Sequence, residues 1–311
     1  MMLISVALAS YNGIKHIAAQ LDSLRSQTLP PDEVIITDDC STDGTFEFCE
    51  SYIRENNLTG WKVFRNEPNL GVAKNFRFAI SKCSGEYVFT CDQDDVWLPD
   101  KIEAMVEVMK SRPEIKLLVS NYIPMSGGKR LKVRLKNLER NDGSVIQYKL
   151  KDTWLDTLRP GCTYCFRREL AEMFEVFDPE NRLHDEMLWL YAILQDSLWL
   201  LNRQLILFIR HGDNATDPFP QTHPNVEQRL KLIDEFIDWH ERVIAASDVL
   251  KISSANRSLL RHKVRFLERR KATLAKRNIF CVALFVMMNF KYYPTFRNAL
   301  SDVYAVALLM S

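Results

Sequence analysis

Residues 87–97 have the sequence YVFTCDQDDVW, in which an apolar run leads directly into three carboxylates within four positions. The apolar run is typical of a buried strand, so the acids are predicted to lie where that strand ends. Three carboxylates this close repel one another, and a hard divalent cation such as Mg²⁺ or Mn²⁺ would remove that cost. The alternative is a solvated acidic turn before a helix predicted near residue 100. An isolated D-x-D motif favours this alternative, so the rest of the chain has to decide.

Apolar runs and helical patterns alternate along the first 120 residues. Strands are predicted at residues 3–9, 33–37, 61–64, 87–91 and 115–120, and helices at 14–27, 45–55, 72–82 and 100–110. This alternation predicts an α/β fold with a mostly parallel, doubly wound sheet.

Polar groups follow three of these strands, namely Ser10-Tyr11-Asn12, Asp38-Asp39 and the acids of residues 92–95. Because ligands bind beyond the carboxyl ends of parallel strands, these groups are predicted to share one edge of the sheet. A ring, a hydrogen-bond acceptor and a metal site side by side suit a nucleoside diphosphate. No G-x-G-x-x-G follows the first strand and no G-x-x-x-x-G-K-[ST] occurs, which disfavours a dinucleotide site and a P-loop.

The composition is that of an ordinary globular protein. The 311 residues are 47% apolar and 26% charged with a net charge of +1, enough for one large domain or two modest ones. The first nine residues lack the basic segment of a secretory signal, so a cytoplasmic location with free thiols is expected for the seven cysteines. Cys162 and Cys165 form a lone C-x-x-C, which favours buried thiols over a zinc site.

Four segments together resemble family 2 glycosyltransferases of the GT-A fold, in order and in spacing. They are VALASYN (6–12), IITDDCSTDGT (35–45), NLGVAKN (69–75) and GEYVFTCDQDD (85–95). The DQDDVW form resembles the branch that contains bacterial rhamnosyltransferases and related O-antigen or capsule enzymes. The resemblance covers roughly the first 215 residues, and four motifs in register make it far more specific than the D-x-D alone.

The resemblance implies an inverting enzyme that uses a nucleotide-diphospho-sugar, UDP- or dTDP-linked, and Mn²⁺ or Mg²⁺. Tyr11 would stack on the base and Asp39 would hydrogen-bond to it, while Ser10 and Asn12 would line the same pocket.

The remaining donor and metal roles fall on the acid cluster and on one lysine. Asp92 would contact the ribose or the sugar, and Asp94 or Asp95 would bind the metal. Lys74 would neutralise charge on the donor. Which acid is the inner-shell ligand stays open. For Asp38-Asp39 the alternative is a helix-capping turn.

The general base is expected in residues 182–186, RLHDE, which precede a helix predicted at 187–194. Inverting transfer needs a base to deprotonate the acceptor hydroxyl. The resemblance implies Asp185 for this role, with Glu186 as the second choice. The alternative is a plain helix cap.

A predicted strand at 205–209 ends in Arg210-His211. The family branch has a similar Arg-x-His-Gly element, although here His211 follows Arg210 directly. His211 could bind the metal or touch the diphosphate, and Arg210 could offset the charge of the leaving group. For His211 the alternative is a structural or solvated histidine.

The predicted domain division places a GT-A catalytic domain at residues 1–217 and a helical region at 218–311. Within the first, residues 1–120 are predicted to form the nucleotide-sugar half and 121–217 the acceptor half. The acceptor half includes an irregular basic region at 125–152 and a segment at 157–167 that resembles the family's glycine-containing strand. Residues 257–277 carry nine Lys or Arg and a single Glu, and the apolar segments 279–290 and 299–310 are too short to span a bilayer.

This C-terminal pattern fits peripheral contact with an anionic membrane at its cytoplasmic face, or a helical cap with a solvated basic face. Membrane contact would suit a lipid-linked saccharide acceptor. A nucleic-acid partner is not expected, because the basic stretch has few aromatics and no known motif.

The leading hypothesis is therefore a metal-dependent hexosyltransferase that builds a cell-surface polysaccharide. One alternative is a sugar nucleotidyltransferase, which would need a glycine-rich basic loop after the first strand. The other is an inactive nucleotide-sugar-binding or scaffold protein, against which the intact acid cluster and Asp185 argue.

Overall fold

The structure is a computed structural model, and it describes residues 3–133, 135–151, 159–177, 182–212, 225–293 and 296–307. The strands are β1 (Ile4–Ser10), β2 (Glu33–Asp38), β3 (Trp61–Arg65), β4 (Tyr87–Asp92), β5 (Val96–Trp97), β6 (Leu117–Ser126), β7 (Lys129–Arg130), β8 (Val145–Gln147), β9 (Tyr164–Arg167) and β10 (Leu198–Arg210). The helices are α1 (Ile17–Arg25), α2 (Thr45–Glu55), α3 (Val72–Lys82), α4 (Lys101–Ser111), α5 (Arg168–Ala171), α6 (Met173–Val176), α7 (His184–Leu194), α8 (Val226–Ala245), α9 (Ser254–Ala275), α10 (Ile279–Asn289) and α11 (Phe296–Ala307).

One mixed sheet organises the first 210 residues, with the order β3-β2-β1-β4-β9-β6-β10-β5. The pairs β3–β2, β2–β1, β1–β4 and β6–β10 are parallel, and β9 is antiparallel to both of its neighbours. The predicted α/β fold with a mostly parallel sheet is confirmed. The register sets Ser10 beside Asp38 and Ala9 beside Asp92, so β1, β2 and β4 end level with one another.

The central strands form because their side chains are buried on both faces. Val6 and Ala7 of β1, which lie on opposite faces, are fully buried, and α1 covers one face of the sheet with Ile17, Leu21 and Leu24, which recur at helical spacing. Full burial of one such aliphatic side chain contributes about 1.5–3 kcal/mol. This packing fixes the positions of the carboxyl ends of the strands.

The described part of the strand predicted at 157–167 is a 3₁₀ turn at Gly161–Thr163 followed by β9, and two further elements begin earlier than predicted. Helix α7 begins at His184 rather than at residue 187, so Asp185 lies inside the first turn instead of capping it. Strand β10 begins at Leu198 rather than at 205, because Asn202 and its neighbours interrupt the apolar pattern where the pairing with β6 shifts register. Asn202 is fully buried and bonded to Ser144, which is why a polar residue is tolerated inside the strand.

The chain divides into two compact units, one of residues 1–149 and 156–214 and the other of residues 150–155 and 215–311. The predicted domain boundary at 217/218 lies outside the described residues. Helices α8 to α11 belong to the second unit. Within the described residues, none of the helices combines the length and apolar character that a bilayer span requires.

Asp302 of α11 holds the second unit together through a buried ion network. Its carboxylate accepts two hydrogen bonds from Arg270 at 2.7 Å each, one from Arg229 at 3.2 Å and one from the Tyr293 hydroxyl at 2.8 Å. Asp302 is fully buried and the two arginines are largely so. Removal of the carboxylate would leave two arginines without their counter-charge.

We therefore expect Asp302→Ala to lower the free energy of unfolding by about 3–5 kcal/mol, measured by thermal or denaturant unfolding. The matched control is Asp234→Ala, which removes an exposed ion pair with Lys271 and should cost less than about 1 kcal/mol. Equal losses for the two variants would contradict this assignment.

Candidate functional site

The loops after β1 and β4 are joined by the side chain of Gln93. Its Oε1 accepts the Tyr11 N–H at 2.9 Å, and its Nε2 donates to the Tyr11 carbonyl at 3.0 Å. A Cβ on Gly13 would lie 2.1 Å from Gln93 Oε1, so the side-chain amide of Gln93 lies directly against the backbone of Gly13. Tyr11 itself is 50% exposed, which leaves its ring available for stacking. Gln93 lies within the acid motif, but its place in the sequence alone did not indicate this role.

The loops after β1 and β2 are joined in the same way. Asn12 has a left-handed backbone with φ of 46°, donates its N–H to Ser41 Oγ at 2.8 Å and accepts the Thr42 N–H at 2.9 Å. Ser10 is buried, with its hydroxyl 3.3 Å from Asp38 Oδ1. Ser10 and Asn12 therefore stabilise the loops beside Tyr11. Asp38 forms the turn after β2, because its carboxylate accepts the Ser41 N–H at 2.9 Å.

Asp39 is buried and orders the loop that leads into α3. Its Oδ1 accepts the Leu70 N–H at 2.8 Å and an amide hydrogen of Asn66 at 2.9 Å, and its Oδ2 accepts the Gly71 N–H at 2.8 Å. Gly71 has φ of 81°, which an L-residue adopts only with strain. A carboxylate has about four acceptor positions, so among the described residues one position on Oδ2 is left without a hydrogen bond.

Asn66 and Asn75 complete this arrangement and were not singled out from the sequence. Asn66 Nδ2 also donates to Asn75 Oδ1 at 2.8 Å, and Asn75 Nδ2 donates to the Thr37 carbonyl at 3.0 Å. Both amides are buried. They connect the carboxyl end of β2 to α3 and so fix the position of Asp39.

Asp94 and His211 face each other across the site. His211 Nε2 lies 2.8 Å from Asp94 Oδ2, and both side chains keep solvent access, at 19% and 15%. The His211 ring stacks on His16 with centroids 4.2 Å apart and planes within 13°. His16 therefore orients the ring that presents Nε2 to Asp94, and its position at the start of α1 gave no such indication in the sequence.

Asp92 and Asp95 form a second group with Cys162, with one ligand-type atom of each lying within 4.8 Å of the others. Burial raises the pKa of Asp95 to about 7, although the Cys162 thiol and the Ile209 N–H, which is 3.0 Å from Oδ1, oppose the shift. Burial also raises the pKa of Asp92 well above its usual value, and the charges of the neighbouring acids, including Asp185, add to this. Asp95 Oδ2 is buried without a hydrogen-bond partner among the described residues.

Lys101 is a fully buried cation behind these acids. Its Nζ donates to the Cys162 carbonyl at 2.7 Å and lies 3.2 Å from the centre of the Trp97 ring. Burial lowers its pKa to about 8, while the charge of Asp95 opposes that shift. The sequence contains an indication that Lys101 is buried, because it lies on the apolar face of α4 with Met105 and Met109 at four-residue spacing. Cys162 and Cys165 are buried free thiols, as predicted.

Asp185 lies in the first turn of α7, beside Gly161. Its Oδ1 accepts the Glu186 N–H at 2.8 Å, and burial raises the pKa of the Asp185 carboxyl although nearby backbone N–H groups oppose the shift. The preceding His184 is buried, stacks on Phe76 at 3.7 Å and has no hydrogen-bond partner on either ring nitrogen among the described residues. Burial lowers its pKa to about 3, so the imidazole is neutral.

Two side chains that were predicted to bind the donor form no hydrogen bond or ion pair with the acid cluster among the described residues. Lys74 is exposed on α3, and the Arg210 guanidinium lies over the Phe208 ring at 5.5 Å. Their roles toward a donor therefore stay predictions.

The donor set fits a hard divalent cation. Asp94 and His211 offer an oxygen and a nitrogen with solvent access, and the acids around Asp92 carry charge that a cation would balance. The Cys162 thiol is a poor ligand here, because burial and the charges of Asp95 and Asp92 raise its pKa well above its usual value and keep it protonated. The chemistry of these side chains therefore favours Asp94 and His211 as metal ligands over the group of Asp92, Asp95 and Cys162.

We expect Gly161→Ala to impair the site through Asp185. The added Cβ would lie 2.8 Å from His184 Nε2 and 3.1 Å from Asp185 Cβ, and His184 cannot yield readily because it is stacked on Phe76. The variant should lose about 1–3 kcal/mol of stability and most of its turnover, measured by thermal unfolding and initial rates. Wild-type turnover would show that the first turn of α7 tolerates displacement.

Residues 5–174, more than half of the chain, match the family model described as glycosyl transferase family 2. The chain is 28% identical over 221 residues to the dTDP-rhamnosyl transferase RfbG of Shigella flexneri, which covers 67% of this chain and 72% of that protein. It is 31% identical over 124 residues to the UDP-Glc:alpha-D-GlcNAc-diphosphoundecaprenol beta-1,3-glucosyltransferase WfgD of Escherichia coli. The matched region covers 39% of this chain and 46% of that protein.

Solved structures with a similar fold include S. aureus TarS 1-349 in complex with UDP-GlcNAc, with a TM-score of 0.62 at 18% identity over 98% of this chain and 89% of that one. The mannosyltransferase PcManGT from Pyrobaculum calidifontis in complex with GDP-Man and Mn²⁺ has a TM-score of 0.52 at 18% identity over 99% and 86%. At these identities the likeness concerns the fold, and it agrees with the predicted GT-A architecture.

Proposed function

The chain belongs to glycosyl transferase family 2, and from that premise we propose that it moves a hexose or deoxyhexose from a UDP- or dTDP-linked donor to a growing cell-surface polysaccharide. The proposed transfer inverts the anomeric centre and depends on a divalent metal. Family membership leaves no support for the sugar nucleotidyltransferase alternative.

One observation carries the proposal: Tyr11, Asp39 and the acids of residues 92–95 follow parallel strands that end level at one edge of the sheet. Side-chain hydrogen bonds from Gln93 and Asn12 join their loops, so the site is ordered before a ligand arrives. In the proposal the base stacks on the exposed ring of Tyr11 and bonds to the remaining acceptor position of Asp39. Asp92, beneath them, contacts the ribose or the sugar.

The metal would be held by Asp94 and His211, and it would supply Lewis-acid stabilisation of the diphosphate leaving group. The proposal takes support from two structural neighbours, PcManGT and GalNAc-T7, whose structures contain Mn²⁺. Asp95 anchors the motif to β10 through the Ile209 N–H, and buried Lys101 balances part of its charge. His16 keeps His211 in place by stacking.

Asp185 is the proposed general base. Its raised pKa makes it a better proton acceptor than an ordinary aspartate, and the Glu186 N–H fixes its carboxylate. It would accept the proton of the acceptor hydroxyl as that oxygen attacks the anomeric carbon. His184 has a low pKa and stays neutral, so it adds no charge that would hold Asp185 ionised and weaken it as a base.

The donor and acceptor classes rest on the relatives. RfbG is named as a dTDP-rhamnosyl transferase, and the name of WfgD includes UDP-Glc and a diphosphoundecaprenol-linked sugar. By analogy we propose a saccharide acceptor carried on a lipid, which would bring the protein to the inner face of the cell membrane from the cytoplasm.

A thermal-shift screen tests the donor site. UDP or dTDP with Mn²⁺ at about 100 times its dissociation constant should stabilise the protein by about 2.7 kcal/mol, and the nucleotide without metal should do so much less. The matched control is the same screen with Asp94→Ala. Stabilisation by nucleotide that is indifferent to both the metal and Asp94 would refute the proposed metal site.

A further inference from the structure

Helix α10 presents an uncovered apolar strip. Phe280, Met287 and Met288 are 81%, 77% and 71% exposed, the largest values for any large apolar side chain among the described residues. Leu284, at 58%, completes a row at intervals of three and four residues, which lie on one face of a helix. The opposite face, with Val282 and Val286, is buried in the core of the second unit. The strip is therefore separate from the surface that folds the helix.

Helix α11 extends this strip. Phe296, Leu300 and Tyr304 recur every four residues and are 64%, 47% and 54% exposed. The Phe296 ring contacts the ring of Phe290 at the end of α10, with centroids 5.9 Å apart. The two rows therefore meet. We call the exposed apolar residues of α10 and α11, with Phe290, the apolar face.

Cations border the apolar face. Arg261, Arg265 and Arg269 are exposed at four-residue spacing along α9, and the Arg269 guanidinium lies 5.9 Å from the ring of Phe285 in α10. Exposed Lys276 and Lys291 flank the two ends of α10. Between residues 249 and 293 the only acidic residue is Glu268. Residues 249–293 thus carry many cations and one acid, and the α8 acids Asp234 and Glu227 are paired with Lys271 and Arg277.

We propose that the apolar face binds the surface of an anionic lipid bilayer, with its side chains among the acyl chains and the α9 arginines on the headgroups. An 11-residue helix is about 16 Å long, half of the roughly 30 Å hydrocarbon core, so α10 lies in the interface and does not cross it. Large apolar side chains beside cations are the pattern of interfacial helices.

A second copy of the chain fits this face less well. A two-fold symmetric contact would bring the same patch of both protomers together and set the α9 arginines of one against those of the other. Anionic headgroups provide the opposite charge along the whole border. Charge complementarity therefore favours the bilayer as the occupant.

The purpose of this contact rests on the proposed function, because a lipid-carried acceptor is reached at the membrane surface. The observations that support the contact are independent of the proposed function, since every residue involved belongs to the second unit. Failure of the two proposals can therefore be told apart by measuring vesicle binding and nucleotide stabilisation on the same protein.

The test is flotation of the full chain with vesicles of equal parts phosphatidylglycerol and phosphatidylcholine, and with vesicles of phosphatidylcholine alone. Wild type should float with the anionic vesicles, less so at high salt, and remain unbound with the neutral ones. Phe280→Ser/Met287→Ser should lower binding at least tenfold. Arg261→Gln/Arg265→Gln/Arg269→Gln should lower it roughly a hundredfold, at about a factor of five for each arginine.

Two matched controls keep the result specific. Leu232→Ser changes an exposed apolar residue of α8, and Arg54→Gln/Lys62→Gln/Lys110→Gln removes three exposed cations of the first unit. Both should bind as wild type does, and all variants should keep stabilisation by nucleotide and Mn²⁺. Exposed Cys281 of α10 gives a local readout, because anionic vesicles should slow its alkylation relative to a Cys281→Ser background.

Equal binding of wild type to both vesicle types, no binding, or wild-type binding by the arginine variant would overturn the proposal. A wild-type dimer that becomes monomeric in Phe280→Ser/Met287→Ser would assign the face to a second copy instead. If the wild type fails to bind anionic vesicles while nucleotide and Mn²⁺ still stabilise it, only the membrane proposal fails.

Discussion

Asp94→Ala should abolish metal-dependent donor binding and reduce transfer by roughly a thousandfold, about 4 kcal/mol of transition-state stabilisation. The reason is geometric. Asp94 Oδ2 lies 2.8 Å from His211 Nε2 and both keep solvent access, whereas Asp95 is buried and engaged by the Ile209 N–H. Calorimetry of UDP or dTDP binding with and without Mn²⁺ measures the first effect, and initial rates measure the second.

The control for this variant is Glu55→Ala, an exposed acid on α2, which should bind and turn over as wild type does. His211→Ala should show a smaller loss, because it removes one proposed metal ligand and leaves the Asp94 carboxylate in place. Unchanged affinity of Asp94→Ala in the presence of Mn²⁺ would move the metal to the Asp92, Asp95 and Cys162 group.

Asp185→Asn should keep donor binding and lose about 10²- to 10⁴-fold in kcat, the usual contribution of a general base. Asparagine preserves the shape of the side chain but cannot accept the proton. Glu186→Gln is the matched control, since Glu186 is the adjacent acid, forms a 3.6 Å pair with Arg182 and should keep its rate. A large loss in Glu186→Gln together with normal turnover in Asp185→Asn would exchange the two assignments.

The pH profile of kcat follows from the direction of the Asp185 shift. Burial raises the pKa of Asp185, so the carboxyl holds its proton at higher pH than an ordinary aspartate, whose pKa is about 3.9. Because the base acts only when ionised, kcat should fall as pH decreases, and the fall should begin at a higher pH than an ordinary aspartate would give. Nucleotide and Mn²⁺ binding measured at the same pH values separates this effect from titration of the metal-site acids. A flat profile for kcat down to pH 4 would contradict the assignment.

Much of the site could be predicted because it depends on local pattern. The buried run of residues 87–91 and the polar residues after β1 and β2 place the acids and Tyr11 at one edge once the sheet is parallel. The bounds predicted for α3, about 72–82, agree with the structure, where Gly71 precedes the helix and buried Cys83 follows it.

What could not be predicted depends on contacts between distant segments. The pattern of α4 shows Lys101 on an apolar face, but only the fold brings it to Cys162 and the acids. Asp39 was expected to bind the nucleotide base, yet three of its about four acceptor positions are taken by Asn66 and the N–H groups of residues 70–71. His16 is separated from His211 by nearly two hundred residues, and no local signal links them.

The most direct test of the donor site is to locate bound Mn²⁺ by anomalous scattering from crystals grown with UDP or dTDP. The expected result is a single manganese bound at Asp94 and His211, with the base of the nucleotide stacked on Tyr11. A manganese bound away from Asp94, or a nucleotide whose base lies far from Tyr11 and Asp39, would contradict the account.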